Sequence, residues 1–202
     1  MKKLFFLFSL TIALVLNAQR VVIKSGSFSV LKDQTEVNVE FKFDNVLMMK
    51  ENVTEEQYLE NRKRDVLANP KRGEAGWQKW NGEWQRYKNE EYINYFTKGL
   101  NKSYKNISFK KASPSSKYTL LLETNWVFPG WHGGMVVMSA EITGKIKLIE
   151  TNNPANILAE AEFNKFDKFV NNKEIVMEYG RIAGAYESLG KYLGKEIKNA
   201  VK

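Results

Sequence analysis

The strongest constraint on the fold of this chain is an alternation of apolar and polar side chains in three separate stretches, which is strict in the first of them. Residues 36–44 carry valine or phenylalanine at each odd position from 37 to 43. Residues 136–148 carry apolar side chains or glycine at the even positions, and residues 157–163 carry apolar side chains at the odd positions. Because successive side chains of a strand point to opposite faces, each stretch is predicted to be a half-buried β-strand.

Further strands are predicted on either side of these stretches. Residues 118–128 are apolar on both faces near their middle, which is typical of a central strand, and a short strand is predicted around residues 107–109. Residues 20–31 form a moderately apolar segment, and a polar turn separates it from residues 36–44. That arrangement predicts a β-hairpin at the start of the domain.

Three helices are predicted. Thr54 and Gln57 form a capping box, and the helix that they open should end near Ala68, before Asn69 and Pro70. A longer helix is expected over about residues 77–100 and a third over about residues 175–201. The last helix contains four glycines: Gly180, Gly184, Gly190 and Gly194. Each glycine costs about 1 kcal/mol relative to alanine, so we expect a close backbone approach there, to a sheet; a loosely formed helix is the alternative.

The order of these elements predicts an α+β fold. We expect an antiparallel or mixed meander sheet of about five to six strands packed against two or three helices, in a single domain. That domain is expected to span residues 19–202, after a signal peptide over residues 1–18.

The first 18 residues have the three parts of a secretory signal peptide. Two lysines follow Met1, an apolar run covers residues 4–16, and small or polar residues lead to a cleavage site near Ala18. The run is shorter than the roughly 20 residues of a membrane-spanning helix, so a retained anchor or a buried first helix is the less favoured alternative. We therefore predict a periplasmic or secreted protein with no transmembrane segment in its mature chain.

Composition excludes several kinds of chemistry. The chain has no cysteine and a single histidine, so disulfides, thiolate nucleophiles, iron–sulfur clusters and multi-histidine metal sites are excluded. No cofactor, no metal and no catalytic residue is predicted. The net charge is +8, and loss of Lys2 and Lys3 with the signal peptide lowers it to +6. A basic exported protein is expected to meet acidic envelope material rather than nucleic acid.

The C-terminal sequence RIAGAYESLGK at residues 181–191, together with NAQ at residues 17–19, resembles that of uncharacterised exported proteins of Bacteroides-type bacteria. The layout of a meander sheet with a long last helix is similar to that of penicillin-binding-protein activators and the N-terminal domain of the Tol–Pal protein TolB. This resemblance implies a non-enzymatic protein-binding module in the envelope, and it transfers no functional residues.

Tryptophans are the first group of candidate binding residues. Trp77, Trp80 and Trp84 lie on one predicted helical face, while Trp126 and Trp131 lie near a turn. They could form stacking platforms for sugar rings or a hydrophobic contact site. A core position is the alternative for the helical stripe, and Trp131 is expected to be the most exposed of the five.

The remaining candidates are His132 and a lysine-rich stretch. His132, beside two glycines, is interpreted as a turn residue and a candidate binding residue rather than as a general base. Lys110 and Lys111 belong to a group of six lysines without an acidic residue between Tyr92 and Leu122. Such a group can bind an anionic surface, and an ordinary solvated face is the alternative.

These observations favour an exported, non-enzymatic binding module that contacts an envelope protein or polysaccharide. The alternative is a small secreted hydrolase acting on polysaccharide or cell wall. Its carboxylates could be Glu160 and Glu162, which share one predicted strand face, although a solvated face explains them as well. A purely structural envelope protein would differ in lacking an exposed aromatic patch. The sequence predicts no oligomeric state.

Overall fold

The computed structural model of this protein describes residues 21–167 and 176–202. The predicted signal peptide lies outside these residues, as does the predicted first residue of the last helix. The strands are β1 Val22–Gly26, β2 Glu36–Lys42, β3 Leu47–Met48, β4 Val53–Thr54, β5 Ser108–Lys111, β6 Tyr118–Phe128, β7 Trp131–Gly133, β8 Val136–Met138, β9 Glu141–Glu150 and β10 Asn153–Phe166. The helices are α1 Glu55–Leu67, α2 Gly73–Arg86, α3 Tyr92–Ser103 and α4 Glu178–Ala200, with a 3-10 turn at Phe28–Leu31 and a π-helical turn at Tyr87–Glu91 between α2 and α3.

Eight of the described strands form one mixed sheet, which confirms the predicted α+β class with more strands than expected. The order along the sheet is β1-β10-β9-β6-β2-β5, and β3 with β4 extends it beside β6. Strands β6, β9 and β10 form the predicted antiparallel meander. Strand β2 lies parallel to both β5 and β6.

The predicted N-terminal hairpin is wrong. Strand β1 pairs with β10 at one edge of the sheet, whereas β2 lies between β6 and β5 near the other edge. The connection between them contains the 3-10 turn, whose Phe28 and Leu31 are fully buried and which contacts α4. Because Phe28 and Leu31 are buried against the rest of the protein, the chain crosses from the β1 edge of the sheet toward the opposite edge. The polar turn that follows therefore leads into β2 beside β6 and does not pair β2 with β1.

The three predicted helices are present, but only α1 has both ends close to the expected positions, whereas the second begins at Gly73 and ends at Ser103 rather than at about 77 and 100. Helix α1 ends at Leu67, one residue before the expected end near Ala68. The predicted long second helix is a continuous run formed by α2, the π-helical turn and α3. At Gly190 and Gly194 the backbone does approach a neighbour closely, but that neighbour is α3 and not the sheet.

The long alternating stretch over residues 136–148 is divided in two. Its first part is β8, which pairs with β7 in a small separate sheet, and its second part is β9 in the main sheet. Ile142, Ile146 and Leu148 of β9 are fully buried, as predicted, while Val136 and Met138 of β8 are exposed. The division places a short hairpin outside the core.

Candidate functional site: an exposed apolar hairpin

Strands β7 and β8 form a two-stranded hairpin that we call the apolar hairpin (residues 131–138). Trp131 pairs with Met138, and Gly133 pairs with Val136. Since directly opposed residues of an antiparallel pair share a face, Trp131, Val136 and Met138 lie together on one side. Their exposed fractions are 43%, 57% and 39%, and Met135 in the turn is fully exposed. The hairpin therefore presents a continuous apolar surface to solvent.

Glycines allow this surface its shape. A β-carbon on Gly133 would lie 2.6 Å from the ring of Trp131, so the ring lies along the strand over a position without a side chain. Gly134 has φ +60, a left-handed conformation that glycine adopts without strain at the turn. The indole is thus held against the hairpin rather than projecting freely from it.

The segment around the hairpin is free of charge. Residues 129–140 contain no Asp, Glu, Lys or Arg, in a chain of which 27% is charged. His132 lies on the other face of the hairpin, opposite Val137, and both are half-buried. The exposed face consequently consists of apolar side chains and glycine.

Arg181 of α4 fixes the base of the hairpin. Its Nε donates to the carbonyl oxygen of Pro129 at 2.9 Å, and its Nη2 donates to that of Gly130 at 3.2 Å. Its Nη1 donates to the carbonyl oxygen of Val176 at 2.9 Å. A β-carbon on Gly130 would lie 2.2 Å from the carbonyl oxygen of Met138, so the two strands are tightly drawn together there. The buried guanidinium therefore connects the base of the hairpin to α4 by hydrogen bonds.

Trp126 and two lysines lie along the end of β6 that leads into this base. The indole Nε1 of Trp126 donates to the carbonyl oxygen of Met49 at 3.0 Å and to Asn52 Oδ1 at 2.9 Å, which makes the half-buried Trp126 a clamp between β6 and the turn before β4. Lys165 lies over the Trp126 ring at 5.9 Å, and Lys50 lies over the Phe128 ring at 5.3 Å. Both lysines are exposed.

The helical tryptophans belong to the core. Trp77, Trp80 and Trp84 are all buried, and their rings stack in sequence with centroid separations of 5.6 and 5.4 Å. Trp84 Nε1 donates to Glu55 at 2.9 Å, and Trp80 Nε1 donates to Glu178 at 3.3 Å. This burial confirms the core interpretation of the stripe over a sugar-stacking platform.

Three of the six lysines in the lysine-rich stretch form ion pairs. Lys110 binds Glu36, whose pKa is held at about 2 by hydrogen bonds from Lys110 and Ser113. Lys98 and Lys102 each lie 3.0 Å from a carboxylate oxygen of Glu187. Lys111 Nζ donates to the carbonyl oxygen of Asn89 at 3.2 Å. The carboxylates are distant in sequence, so half of the six lysines are paired with acidic residues that the local sequence does not reveal.

A cleft of about 400 Å³ adjoins Pro129 and Gly130 at the hairpin base and is lined by Tyr58 and by the ion pair of Arg62 with Glu178 at 2.8 Å. A cleft of about 440 Å³ lies away from the hairpin, beside the end of β2. Within residues 21–167 and 176–202 no group of three or more His, Asp or Glu side chains is placed to hold a metal ion. None of the described helices has both the length and the apolarity needed to cross a membrane.

Sequence reasoning identified Trp131 but missed its companions. The sequence pattern predicts Val136 and Met138 on the buried face of one long amphipathic strand, because their alternation continues into β9. The available signal was the combination of a charge-free segment with Gly133 and Gly134, which points to an exposed hairpin turn.

Comparison with known proteins adds little. No family model matches the chain, and no curated protein matches it. One solved structure that is similar is a PelC dodecamer from Paraburkholderia phytofirmans, with 14% sequence identity and a TM-score of 0.37. The match covers 86% of this chain and 99% of that chain. A likeness of this size defines neither a family nor a function.

Proposed function

We propose that this chain is an exported, non-enzymatic binding module of the bacterial cell envelope, and that it contacts an envelope component through the apolar hairpin. The observation that supports the proposal is the shared exposed face of Trp131, Val136 and Met138, extended by Met135 at the turn. Contiguous exposed apolar surface mounted on a stable domain is typical of interaction sites.

The physical properties of the hairpin suit a contact surface. Full burial of one large apolar side chain contributes about 1.5–3 kcal/mol, and tryptophan is enriched among the residues that dominate binding energy. Because Arg181 holds Pro129 and Gly130 by hydrogen bonds, the hairpin base is ordered in the unbound protein. This order reduces the conformational entropy that is lost when a partner binds.

The alternative of a secreted hydrolase is less well supported. Lys145 lies 3.0 Å from Glu160 and 3.5 Å from Glu162, and Lys24 lies 3.1 Å from Glu162. The hydrogen bond from Lys24 lowers the pKa of Glu162. A glycosidase acid needs a raised pKa instead, so this pair suits a solvated, ion-paired strand face.

The proposal is tested in the native host by fractionation. The double variant Trp131→Ala/Met135→Ser should lose about tenfold or more of the wild-type retention on the envelope fraction after osmotic release. The matched control is Ile157→Ser on β10, where the isoleucine is 46% exposed; this variant should be retained like wild type. Equal retention of the double variant and wild type would overturn the proposal.

Export is tested separately. The intact mass of the exported protein shows whether the predicted signal peptide is cleaved near Ala18.

A further inference from the structure

We infer that the envelope component is a lipid surface: the apolar hairpin inserts its turn into the interfacial region of an anionic membrane leaflet. This inference rests on the proposed function and names its partner. It is carried by the charge-free segment, the paired backbone of the hairpin, and the positions of its side chains between turn and base.

The first argument is the absence of charge from the part that would enter the membrane. A charged side chain costs about 2.5–3.5 kcal/mol at the centre of a membrane-spanning helix, and residues 129–140 have none. The one titratable side chain of this segment, His132, is on the half-buried face away from Trp131. The exposed face therefore carries no formal charge that would oppose insertion.

The second argument concerns the backbone. Unpaired N–H and C=O groups are costly in the hydrocarbon core of a bilayer. In the apolar hairpin, Trp131, His132 and Gly133 pair with Met138, Val137 and Val136, which satisfies the groups that face between the strands. The groups on the two outer edges need water, so the hairpin suits the hydrated interfacial region and not the core. Each strand has three residues, so the hairpin is about 10 Å long at about 3.3 Å per residue. That length matches the roughly 5–10 Å to which interfacial elements are buried.

The third argument is the order of side chains along the hairpin. Met135 occupies the turn and is fully exposed, Val136 follows, and the pair of Trp131 with Met138 lies farthest from the turn. Insertion by the turn would place the flexible apolar methionine deepest and the indole at headgroup level. Tryptophan is enriched at that level, where its ring is partly apolar and its N–H stays near water.

The positive net charge of the whole chain, rather than a cationic patch beside the hairpin, attracts the protein to an anionic membrane surface. The chain has a net charge of +8, or +6 without the two lysines of the predicted signal peptide. Near the hairpin base, the exposed Lys50 lies over the Phe128 ring, Glu51 lines the same cleft as Pro129 and Gly130, and Glu141 directly follows the charge-free segment, so charges of both signs are present. We therefore expect insertion of apolar side chains to supply most of the affinity, and anionic lipid to increase it moderately.

The test uses the exported chain purified from its host and sucrose-loaded vesicles of phosphatidylethanolamine with phosphatidylglycerol, compared with pure phosphatidylcholine. Wild type should sediment with the anionic vesicles, and Met135→Ser/Val136→Ser should bind about tenfold or more weakly. Ile157→Ser, on the main sheet, should bind like wild type. Circular dichroism and thermal unfolding verify that each variant is folded.

Depth is measured by quenching of tryptophan fluorescence with brominated lipid. Wild type should be quenched, and Trp131→Phe should lose that quenching while still sedimenting with the vesicles. Failure of wild type to bind either vesicle type, or equal binding by the double variant, would overturn the lipid inference. If the hairpin variants nevertheless lose envelope retention in cells, the partner is a protein or polysaccharide and only the proposed function stands. If envelope retention is also unchanged, both fail.

Discussion

Gly190 in α4 and Phe96 in α3 lie so close that a β-carbon on Gly190 would be 2.1 Å from the carbonyl oxygen of Phe96. The relation is reciprocal, because a β-carbon on Gly99 in α3 would be 2.1 Å from the carbonyl oxygen of Glu187 in α4. Two glycines, one on each helix, thus allow the helices to meet backbone to backbone. This contact joins the last helix to the middle of the chain.

Substitution of Gly190 by alanine should separate these helices. The neighbouring atom belongs to a backbone and cannot move aside cheaply, so we expect a loss of about 1–3 kcal/mol in the free energy of unfolding, despite the better helix propensity of alanine. Urea denaturation followed by circular dichroism measures the change. The matched control is Gly82→Ala in α2, where nothing lies within 4 Å of the new β-carbon; it should stabilise by about 0.5–1 kcal/mol. A Gly190→Ala variant as stable as Gly82→Ala would contradict the close contact.

Glu187 makes stability sensitive to acid. Burial alone would raise its pKa, but hydrogen bonds from Lys191, Lys98 and Lys102 outweigh burial and hold the pKa at about 2. The value is below the ordinary 4.5 of an unfolded glutamate, so the contribution is complete above about pH 4.5. It should be lost as the pH falls toward 2.

Glu187→Gln tests this acid dependence. At pH 7 the variant should lose about 1.5–3 kcal/mol, the range for hydrogen bonds to a charged group. Its unfolding free energy should also fall less steeply between pH 4.5 and 2 than that of wild type. The pH profile of Glu187→Gln is compared with that of Glu36→Gln. Glu36 likewise has a pKa of about 2, but its ion pair with Lys110 lies at the surface. Parallel pH profiles for Glu187→Gln and wild type would exclude the linkage.

Arg181 should control the order of the apolar hairpin. Arg181→Met removes the donors to the carbonyl oxygens of Pro129 and Gly130, and buried acceptors left without a partner cost about 1–3 kcal/mol each. We expect lower stability and faster amide hydrogen exchange in residues 131–138. Arg64→Met, at an exposed position on α1, serves as the control and should change stability by no more than about 0.5 kcal/mol. Unchanged exchange in the hairpin would show that Arg181 does not order it.

Thr124 and Tyr186 link the sheet to α4 through a buried hydrogen bond of 2.7 Å between their hydroxyl groups. Each of Thr124→Val and Tyr186→Phe leaves one buried hydroxyl without this partner, so each should cost about 1–2 kcal/mol. The double variant should cost less than the sum, and a double-mutant cycle from urea unfolding measures that coupling. Strict additivity would mean that the bond contributes nothing specific.

Features that depend on neighbours in sequence could be predicted well. Thr54 Oγ1 accepts from the Gln57 backbone at 3.2 Å, and the Gln57 side chain accepts from the Thr54 backbone at 3.0 Å. This capping box involves atoms within one helical turn, so four residues contain all the information it needs. The burial of β9 follows similarly from its two-residue period.

Features that depend on distant partners could not be predicted. The six lysines between Tyr92 and Leu122 had no acidic neighbour in sequence, yet Lys110 binds Glu36 across 74 residues and Lys98 binds Glu187 across 89. The glycines of α4 indicated a close approach correctly, but the neighbour was α3 instead of a sheet. A glycine in a helix indicates that a neighbouring element packs closely against the backbone, but it does not indicate which element that is.

By itself, the sequence determined the α+β class, the presence of the helices with the ends of α1, and the exposure of Trp131, because periodicity and capping act over a few residues. Only the tertiary structure decided that β1 and β2 belong near opposite edges of the sheet. It also decided that Val136 and Met138 are exposed together with Trp131, whereas Ile142 is buried in the core. Alternation defines two faces of a strand, but the packing of other elements determines which face meets water.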